Sequence, residues 1–261
     1  MVASRTGLSM RIARTADDIA GAQRLRYRVF VEEMGASASP EDSAARLERD
    51  KFDPFFDHLV LVDETSPIED PLDRVVGAYR LMRGAAAEAG IGFYSADEYD
   101  LSKLVAYPGE VLELGRSCVA KEHRNGLAMH QLWAGLGEYV ITRNIAVLFG
   151  VASFHGTDLA PLGQPLSYLH YNHMAPEPLR VRTVPGAFTP MNVLPEASVD
   201  KRQALRELPP LIKSYLRLGG TVGEGAFVDH LFNTVDVCLI MDTTQMQAKY
   251  RETYSRGGVL E

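Results

Sequence analysis

Acidic and basic residues form short blocks whose types and spacing could bind a charged substrate. Asp50 and Asp53 lie three positions apart in a loop-like stretch, whereas Arg80, Glu113 and Arg116 fall in segments that read as strands. Charged side chains inside strands are costly to bury unless they are paired. One interpretation is a structural ion-pair network. The other is a pocket for a zwitterion, in which carboxylates hold an amine and guanidinium groups hold a carboxylate.

A second candidate site is the segment His123-Arg-Asn-Gly-Leu-Ala128, which lies between a predicted strand and a predicted helix. Backbone amides at the positive end of a helix dipole are suited to binding phosphate. A single glycine before a helix is also typical of a plain turn. Both interpretations stay open, and the position of the segment after a glutamate-bearing strand favours the functional one.

The cysteines and histidines indicate packing rather than chemistry. Cys118 and Cys238 each lie in an apolar, strand-like run, so we expect two buried free thiols. A nucleophilic thiol needs a positive, accessible environment, which an inward-facing Cys118 lacks. His155, His170 and His173 do not have the spacing of metal ligands, and we expect no zinc site.

Composition excludes several classes of protein. The 261 residues carry a net charge of −7, which argues against a general nucleic-acid binder. The longest apolar runs, such as Val147–Phe154, reach roughly half of the ~20 residues that a bilayer span needs. The first ten residues do not have the pattern of a secretory signal, so we expect a cytoplasmic protein.

Strand and helix patterns alternate along the chain and predict one α/β domain over residues 1–261. We place its core at about 10–185 and a C-terminal extension at about 186–261. Thr15-Ala-Asp-Asp18 predicts the start of a helix that runs to about Gly35, and residues 35–51 read as a long loop. Further helices are predicted at 126–139 and 200–218, and strands at 58–63, 75–82, 110–119, 146–154, 179–184 and 235–241.

Four blocks in this order resemble the acyl-homoserine-lactone synthase type of the GNAT-like N-acyltransferases. They are Leu25-Arg-Tyr-Arg-Val-Phe30, Asp50-Lys-Phe-Asp53, Gly77-Ala-Tyr-Arg-Leu81 and Glu113-Leu-Gly-Arg116. The resemblance implies a mixed central sheet flanked by helices, here with a C-terminal elaboration.

Further blocks resemble one branch more closely, the bacterial ornithine-acyl-carrier-protein N-acyltransferases of ornithine-lipid synthesis. Examples are Gly92-Phe-Tyr-Ser-Ala, Leu208-Pro-Pro-Leu-Ile-Lys-Ser-Tyr-Leu-Arg-Leu-Gly and Asp229-His-Leu-Phe-Asn-Thr-Val-Asp. Lactone synthases carry a tryptophan where this chain has Ala36, which argues against synthesis of that signal. Residues 124–128 are more similar to the phosphate loop of relatives that use acetyl-coenzyme A, although His123 replaces the usual Gln or Arg.

The implied reaction moves a 3-hydroxyacyl chain from acyl carrier protein to the α-amine of ornithine and gives lyso-ornithine lipid. A base must deprotonate the amine, and the resemblance implies Glu113, with Arg116 beside it to keep it ionised. It implies substrate-binding residues at Arg26, Phe30, Asp50, Asp53 and Arg80. It also implies a phosphopantetheine site at Ser117, Cys118, Val119, His123, Arg124, Asn125 and Gly126.

The resemblance requires no metal and no bound cofactor, because the carrier's phosphopantetheine thioester is a co-substrate. Carrier protein is acidic, and the basic residues of 200–217 would suit it or anionic inner-membrane lipid, the alternative being a solvated helix face. Other open alternatives are an acyl-homoserine-lactone synthase, an acyltransferase for another amino acid, and a non-catalytic protein that binds acyl carriers.

Overall fold

The computed structural model describes residues 7–124 and 126–243, which form two compact units. Unit 1 contains residues 7–92 and 113–144, and unit 2 contains 93–112 and 145–243. The predicted division into a core up to about 185 and a later extension stays a prediction. None of the helices in these described ranges combines the length and the hydropathy of a membrane span.

Unit 1 is built on four strands in the order β1, β2, β3, β5. The strands are Leu8–Ile12 (β1), Asp57–Asp63 (β2), Val75–Arg83 (β3) and Glu110–Val119 (β5), of which the residues from Glu113 onward belong to this unit. Its helices are Ala16–Arg26 (α1), Pro40–Ala45 (α2), Gly84–Ala89 (α3) and Leu127–Thr142 (α5). The predicted hairpin is confirmed, since β2 and β3 pair antiparallel from Asp57↔Leu81 onward.

Two glycines allow the helices of unit 1 to approach its sheet closely. A Cβ on Gly21 of α1 would lie 2.5 Å from Val75 Cγ2, and one on Gly135 of α5 would lie 1.9 Å from Met10 Sδ. A side chain at position 21 would therefore push α1 away from β3, which carries Arg80, whereas one at position 135 would require the Met10 side chain to move.

Unit 2 is built around the long antiparallel pair of Ile145–His155 (β6) and Thr234–Asp242 (β10). Thr221–Val222 (β8) and Phe227–Asp229 (β9) pair with β10, and Tyr99–Asp100 (β4) pairs with Arg182–Thr183 (β7). Its helices are Ser102–Val105 (α4), Gly163–His173 (α6), Lys201–Glu207 (α7) and Pro210–Arg217 (α8).

Three predicted elements were wrong in extent. The helix expected over 15–35 is an α-helix only to Arg26, and a π-helix, Tyr27–Glu33, follows it. The helix expected over 200–218 is two helices, because Leu208 and Pro209 each precede a proline and take extended conformations. The strand expected over 179–184 shrinks to Arg182–Thr183.

Several elements were missed, namely α2, α3, α4, α6, β1, β4, β8 and β9, of which the helix α6 is the longest. Residues 35–51 are not all loop, because Ser39 caps α2 by accepting a hydrogen bond from Asp42 N, and Pro40 occupies its first turn. That signal was present in the sequence. Strand β1 was also missed, since its five residues are only partly buried.

Candidate active site

Arg26 is the last residue of α1 and is completely buried. The helix starts as predicted, with Thr15 Oγ1 accepting a hydrogen bond from Asp18 N at 3.1 Å. The π-helix Tyr27–Glu33 begins directly after Arg26. At its end Met34 N donates to Val29 O, which is the five-residue spacing of a π-helix. π-Helical turns occur frequently at functional sites. Phe30, predicted to bind substrate, lies half-buried within this π-helix.

Six buried or nearly buried charged side chains of unit 1 meet around Arg26. Arg26 Nη1 and Arg80 Nη1 both donate to Asp53 Oδ1, each at 2.7 Å. Arg26 Nε donates to Glu48, which also pairs with Arg116 at 3.3 Å. Arg80 and Arg116 share Asp50 Oδ2 at 2.7 and 3.7 Å. We call this group the charge cluster: Arg26, Glu48, Asp50, Asp53, Arg80 and Arg116.

The loop that carries the acids is held in place by neutral groups. Asp50 Oδ1 accepts hydrogen bonds from the backbone N–H groups of Phe52 and Asp53, which orients its other oxygen toward Arg80. Gln23 Nε2 donates to Asp53 Oδ2 at 2.9 Å. The Arg80 guanidinium lies 4.3 Å from the Phe56 ring centroid, a cation–π contact. The acids are therefore fixed before any ligand arrives.

The electrostatics of the charge cluster keep its acids ionised. Burial by itself raises the pKa of Glu48, but the guanidinium groups of Arg26 and Arg116 outweigh it and lower that pKa to about 2. Burial is likewise outweighed at Asp53, whose pKa Arg26 and Arg80 hold well below its usual range. Burial lowers the pKa of His58, which favours the neutral imidazole beside the cluster.

Arg26 keeps one donor for another partner. Its Nη2 is buried and has no hydrogen-bond partner within the described residues. An unsatisfied buried donor of a charged group is costly, so a bound carboxylate would gain from this atom.

The predicted base and oxyanion segment both lie on β5. Glu113 is 1% exposed. Three positions later, Arg116 adopts a left-handed backbone with φ 52°, which interrupts the regular strand. Ser117 Oγ directly after it is buried and has no partner in the described part of the chain.

Cys118 packs inward, as predicted, and both cysteines are free and buried. Burial raises the pKa of the Cys118 thiol to about 12, so the thiol is protonated at neutral pH. Its burial and protonation argue against nucleophilic catalysis. Val119, also buried, accepts a hydrogen bond from Arg124 Nε at its carbonyl oxygen, at 2.9 Å.

The loop before α5 has the expected geometry at Gly126, which takes φ 93° as the residue preceding the helix. No side chain of the described residues caps this helix. Arg124 Nη1 pairs with Glu33 at 2.8 Å, and His123 Nε2 lies 3.6 Å from Asp63 Oδ2. Both predicted phosphate ligands therefore already contact acids. Asn125 lies outside the described residues.

Sequence reasoning missed Glu48, which links two arginines of the charge cluster. It lies in Arg46-Leu-Glu-Arg49, a charged stretch of no clear periodicity, so no local signal distinguishes it from a solvated acid. Its backbone N–H donates to Gln23 O at 3.0 Å, which attaches this stretch to α1.

The chain is similar to known proteins both in sequence and in fold. Residues 25–134 match the model of a GNAT acetyltransferase domain. The chain is 55% identical to an L-ornithine N(alpha)-acyltransferase of Rhodobacter capsulatus, over 98% of each protein. It is 41% identical to one of Brucella abortus, over 95% of this chain and 88% of the relative.

Among solved structures, the fold is similar to that of FeeM, an N-acyl amino acid synthase from uncultured soil microbes. The TM-score is 0.51 with 12% identity, over 92% of this chain and 93% of FeeM. The predicted GNAT-like fold is thereby confirmed.

Proposed function

Since the chain belongs to the L-ornithine N(alpha)-acyltransferase family, we propose that it transfers a 3-hydroxyacyl chain from acyl carrier protein to the α-amine of ornithine. The product would be lyso-ornithine lipid. The observation that carries this proposal is the 55% identity to an ornithine acyltransferase over 98% of both chains. The buried charge cluster is consistent with it, because ornithine brings one carboxylate and two amino groups into a site that holds both signs of charge.

The reaction forms one bond and breaks one. The neutral α-amine attacks the thioester carbonyl, the C–N bond forms, and the C–S bond breaks to release the carrier thiol. Glu113 is the proposed base that takes the amine proton, directly or through one water. Backbone N–H groups of Ser117–Val119 would stabilise the developing oxyanion, and the left-handed turn at Arg116 supports this by redirecting the strand there.

Ornithine would be held through its charges. Arg26 Nη2, buried and without a partner in the described residues, is suited to the ornithine carboxylate. Asp50, the most exposed acid of the charge cluster with a side chain 19% exposed, is suited to an ammonium group. Arg80 pairs with both Asp50 and Asp53 and would fix the spacing between these two acids.

The donor would be recognised by phosphate and carrier chemistry. The uncapped start of α5 after Gly126 suits the phosphate of phosphopantetheine. Lys201, Arg202 and Arg206 of α7 are exposed, and they would attract an acidic carrier or anionic inner-membrane lipid. We propose a cytoplasmic location with peripheral contact to that lipid.

The test is mass spectrometry of the purified full chain with 3-hydroxyacyl carrier protein or 3-hydroxyacyl coenzyme A. Each donor is combined with ornithine, lysine, glutamine, glycine or S-adenosylmethionine, while free thiol is monitored. Acyl-ornithine formed from the carrier-bound donor would support the proposal. Acyl-homoserine lactone from S-adenosylmethionine would overturn it, as would the absence of thiol release with every acceptor.

Two variants test the roles on β5. Glu113→Gln keeps the shape but removes the base, so kcat should fall about 10²- to 10⁴-fold. The matched control Glu110→Gln makes the same change at the first residue of β5 and should keep kcat within a few-fold, because no role in binding or catalysis is proposed for Glu110. Unchanged turnover in Glu113→Gln would remove Glu113 as the base. A circular dichroism melt separates this from loss of folding.

A further inference from the structure

Three acids of unit 2 converge although they are far apart in sequence. Glu98 precedes β4, Asp229 ends β9, and Asp236 lies within β10. They are 5%, 9% and 3% exposed, and one carboxylate oxygen from each lies within 4.8 Å of the others. We call Glu98, Asp229 and Asp236 the acid cluster. Carboxylates so close together repel when they are all ionised, and a bound cation would relieve that repulsion.

A hydroxyl group adds a further buried oxygen near the acid cluster. Thr234 is 3% exposed, and its Oγ1 has no hydrogen-bond partner in the described ranges. Thr234 lies directly opposite Asp229 in the β9–β10 register and two positions before Asp236. Its side chain is therefore on the face of the sheet that carries both acids. A buried hydroxyl without a partner in the described residues, on the same face as two of the three carboxylates, is suited to serve as a further oxygen ligand.

The spacing is compatible with a hard divalent cation such as calcium. Calcium binds six to eight oxygens at about 2.3–2.6 Å, so two of its ligands can lie at most about 5 Å apart. The 4.8 Å limit of the acid cluster meets this condition. Asp229 Oδ1 also accepts hydrogen bonds from the backbone N–H groups of Leu231 and Phe232, which fixes the orientation of its carboxylate.

We propose that Glu98, Asp229, Asp236 and the hydroxyl of Thr234 bind a hard divalent cation, with Ca²⁺ preferred. The ion would join β4, β9 and β10 and would stabilise unit 2 without taking part in the acyl transfer. This site is independent of the reaction proposed above.

The test uses the full chain after treatment with EDTA and measures thermal unfolding against added Ca²⁺. At a free-ion concentration 100 times Kd, Tm should rise by about 5–10 °C. Terbium luminescence gives a second readout, because the Tyr99 ring follows Glu98 and its hydroxyl donates to Asp236 O at 3.0 Å. Excitation of this tyrosine should sensitise a bound Tb³⁺, and Ca²⁺ should compete it away.

Three variants complete the test. Asp236→Asn should abolish both responses. Thr234→Val removes only the hydroxyl, so it should fold at least as well as wild type in EDTA and bind Ca²⁺ about tenfold more weakly. Asp97→Asn, an exposed acid next to Glu98, should behave as wild type.

No Ca²⁺ response in the wild type would overturn the proposal, as would a response that Asp236→Asn and Thr234→Val both retain. If Asp236→Asn does not fold, Thr234→Val decides alone.

Discussion

The charge cluster and the acid cluster bury similar side chains with opposite arrangements of charge. The charge cluster matches three arginines with three acids, and Asp53 pairs with both Arg26 and Arg80. The acid cluster gathers three carboxylates around one hydroxyl. The first holds its counter-charges at 2.7 Å on neighbouring elements, whereas the second is suited to a counter-charge from solution.

The difference shows how burial acts on ionisable groups. In the charge cluster the arginines outweigh burial, so the pKa of Glu48 falls rather than rises. An acid at such a position remains charged and available for electrostatic recognition. Where three carboxylates converge, as in the acid cluster, the same burial favours binding of a cation.

The largest expected effect breaks the charge cluster at its centre. Arg26→Met should reduce the free energy of unfolding by about 3–5 kcal/mol, because Glu48 and Asp53 would remain buried without their main partner. Urea unfolding monitored by circular dichroism measures the loss. Arg24→Met, two positions earlier and paired with Asp70 near the surface, is the matched control and should cost about 1 kcal/mol or less. Equal losses in both variants would contradict the description of a stabilising buried centre.

The second effect is a loss of stability in acid. The folded pKa of Glu48 is about 2 against an ordinary value of 4.5, so its contribution is complete above about pH 5 and is lost as the pH falls toward 2. That contribution is about 3 kcal/mol, and the lowered pKa of Asp53 acts in the same direction.

Unfolding free energies measured from pH 6 to 3 in calcium-free buffer test this pH dependence without the acid cluster's proposed ion. Glu48→Gln should reduce the change in unfolding free energy over this pH range. An unchanged slope in that variant would show that other acids govern acid unfolding.

The smallest expected effect comes from the backbone conformation of Arg116, which two substitutions separate from its ion pairs. Arg116→Gly and Arg116→Ala both remove the contacts to Glu48 and Asp50, but only glycine adopts φ 52° without strain. The alanine variant should therefore be less stable than the glycine variant by about 0.5–1 kcal/mol. This difference already includes the greater conformational freedom of glycine in the unfolded chain, which acts in the opposite direction. Thermal melts of the two variants side by side resolve this difference. Alanine equal to or better than glycine would mean that the strand relaxes at this position.

Much of the fold could be predicted from periodicity, because buried strands and capped helices leave local patterns. The pairing of β2 with β3 followed from two apolar runs around a proline-containing turn. The π-helix after Arg26 could not be predicted, since nothing in the residue types distinguishes Tyr27–Glu33 from a continuing α-helix.

The candidate site was predicted in part. Asp50, Asp53, Arg80 and Arg116 were identified as an ion-pair network or a ligand pocket, and the structure pairs them directly. Glu48 was missed because its partners lie 22 and 68 residues away. The acid cluster was missed for the same reason, since Glu98 and Asp236 come together only through the tertiary fold.

The bond between Arg116 and Glu48 also bears on folding kinetics. It connects residues 68 positions apart, and the β2–β3 hairpin lies entirely within the segment that it closes. Closing so long a segment around buried charges gains free energy only after the hairpin has formed. We therefore expect the pair to form late in folding, so that its removal raises the rate of unfolding more than it lowers the rate of folding.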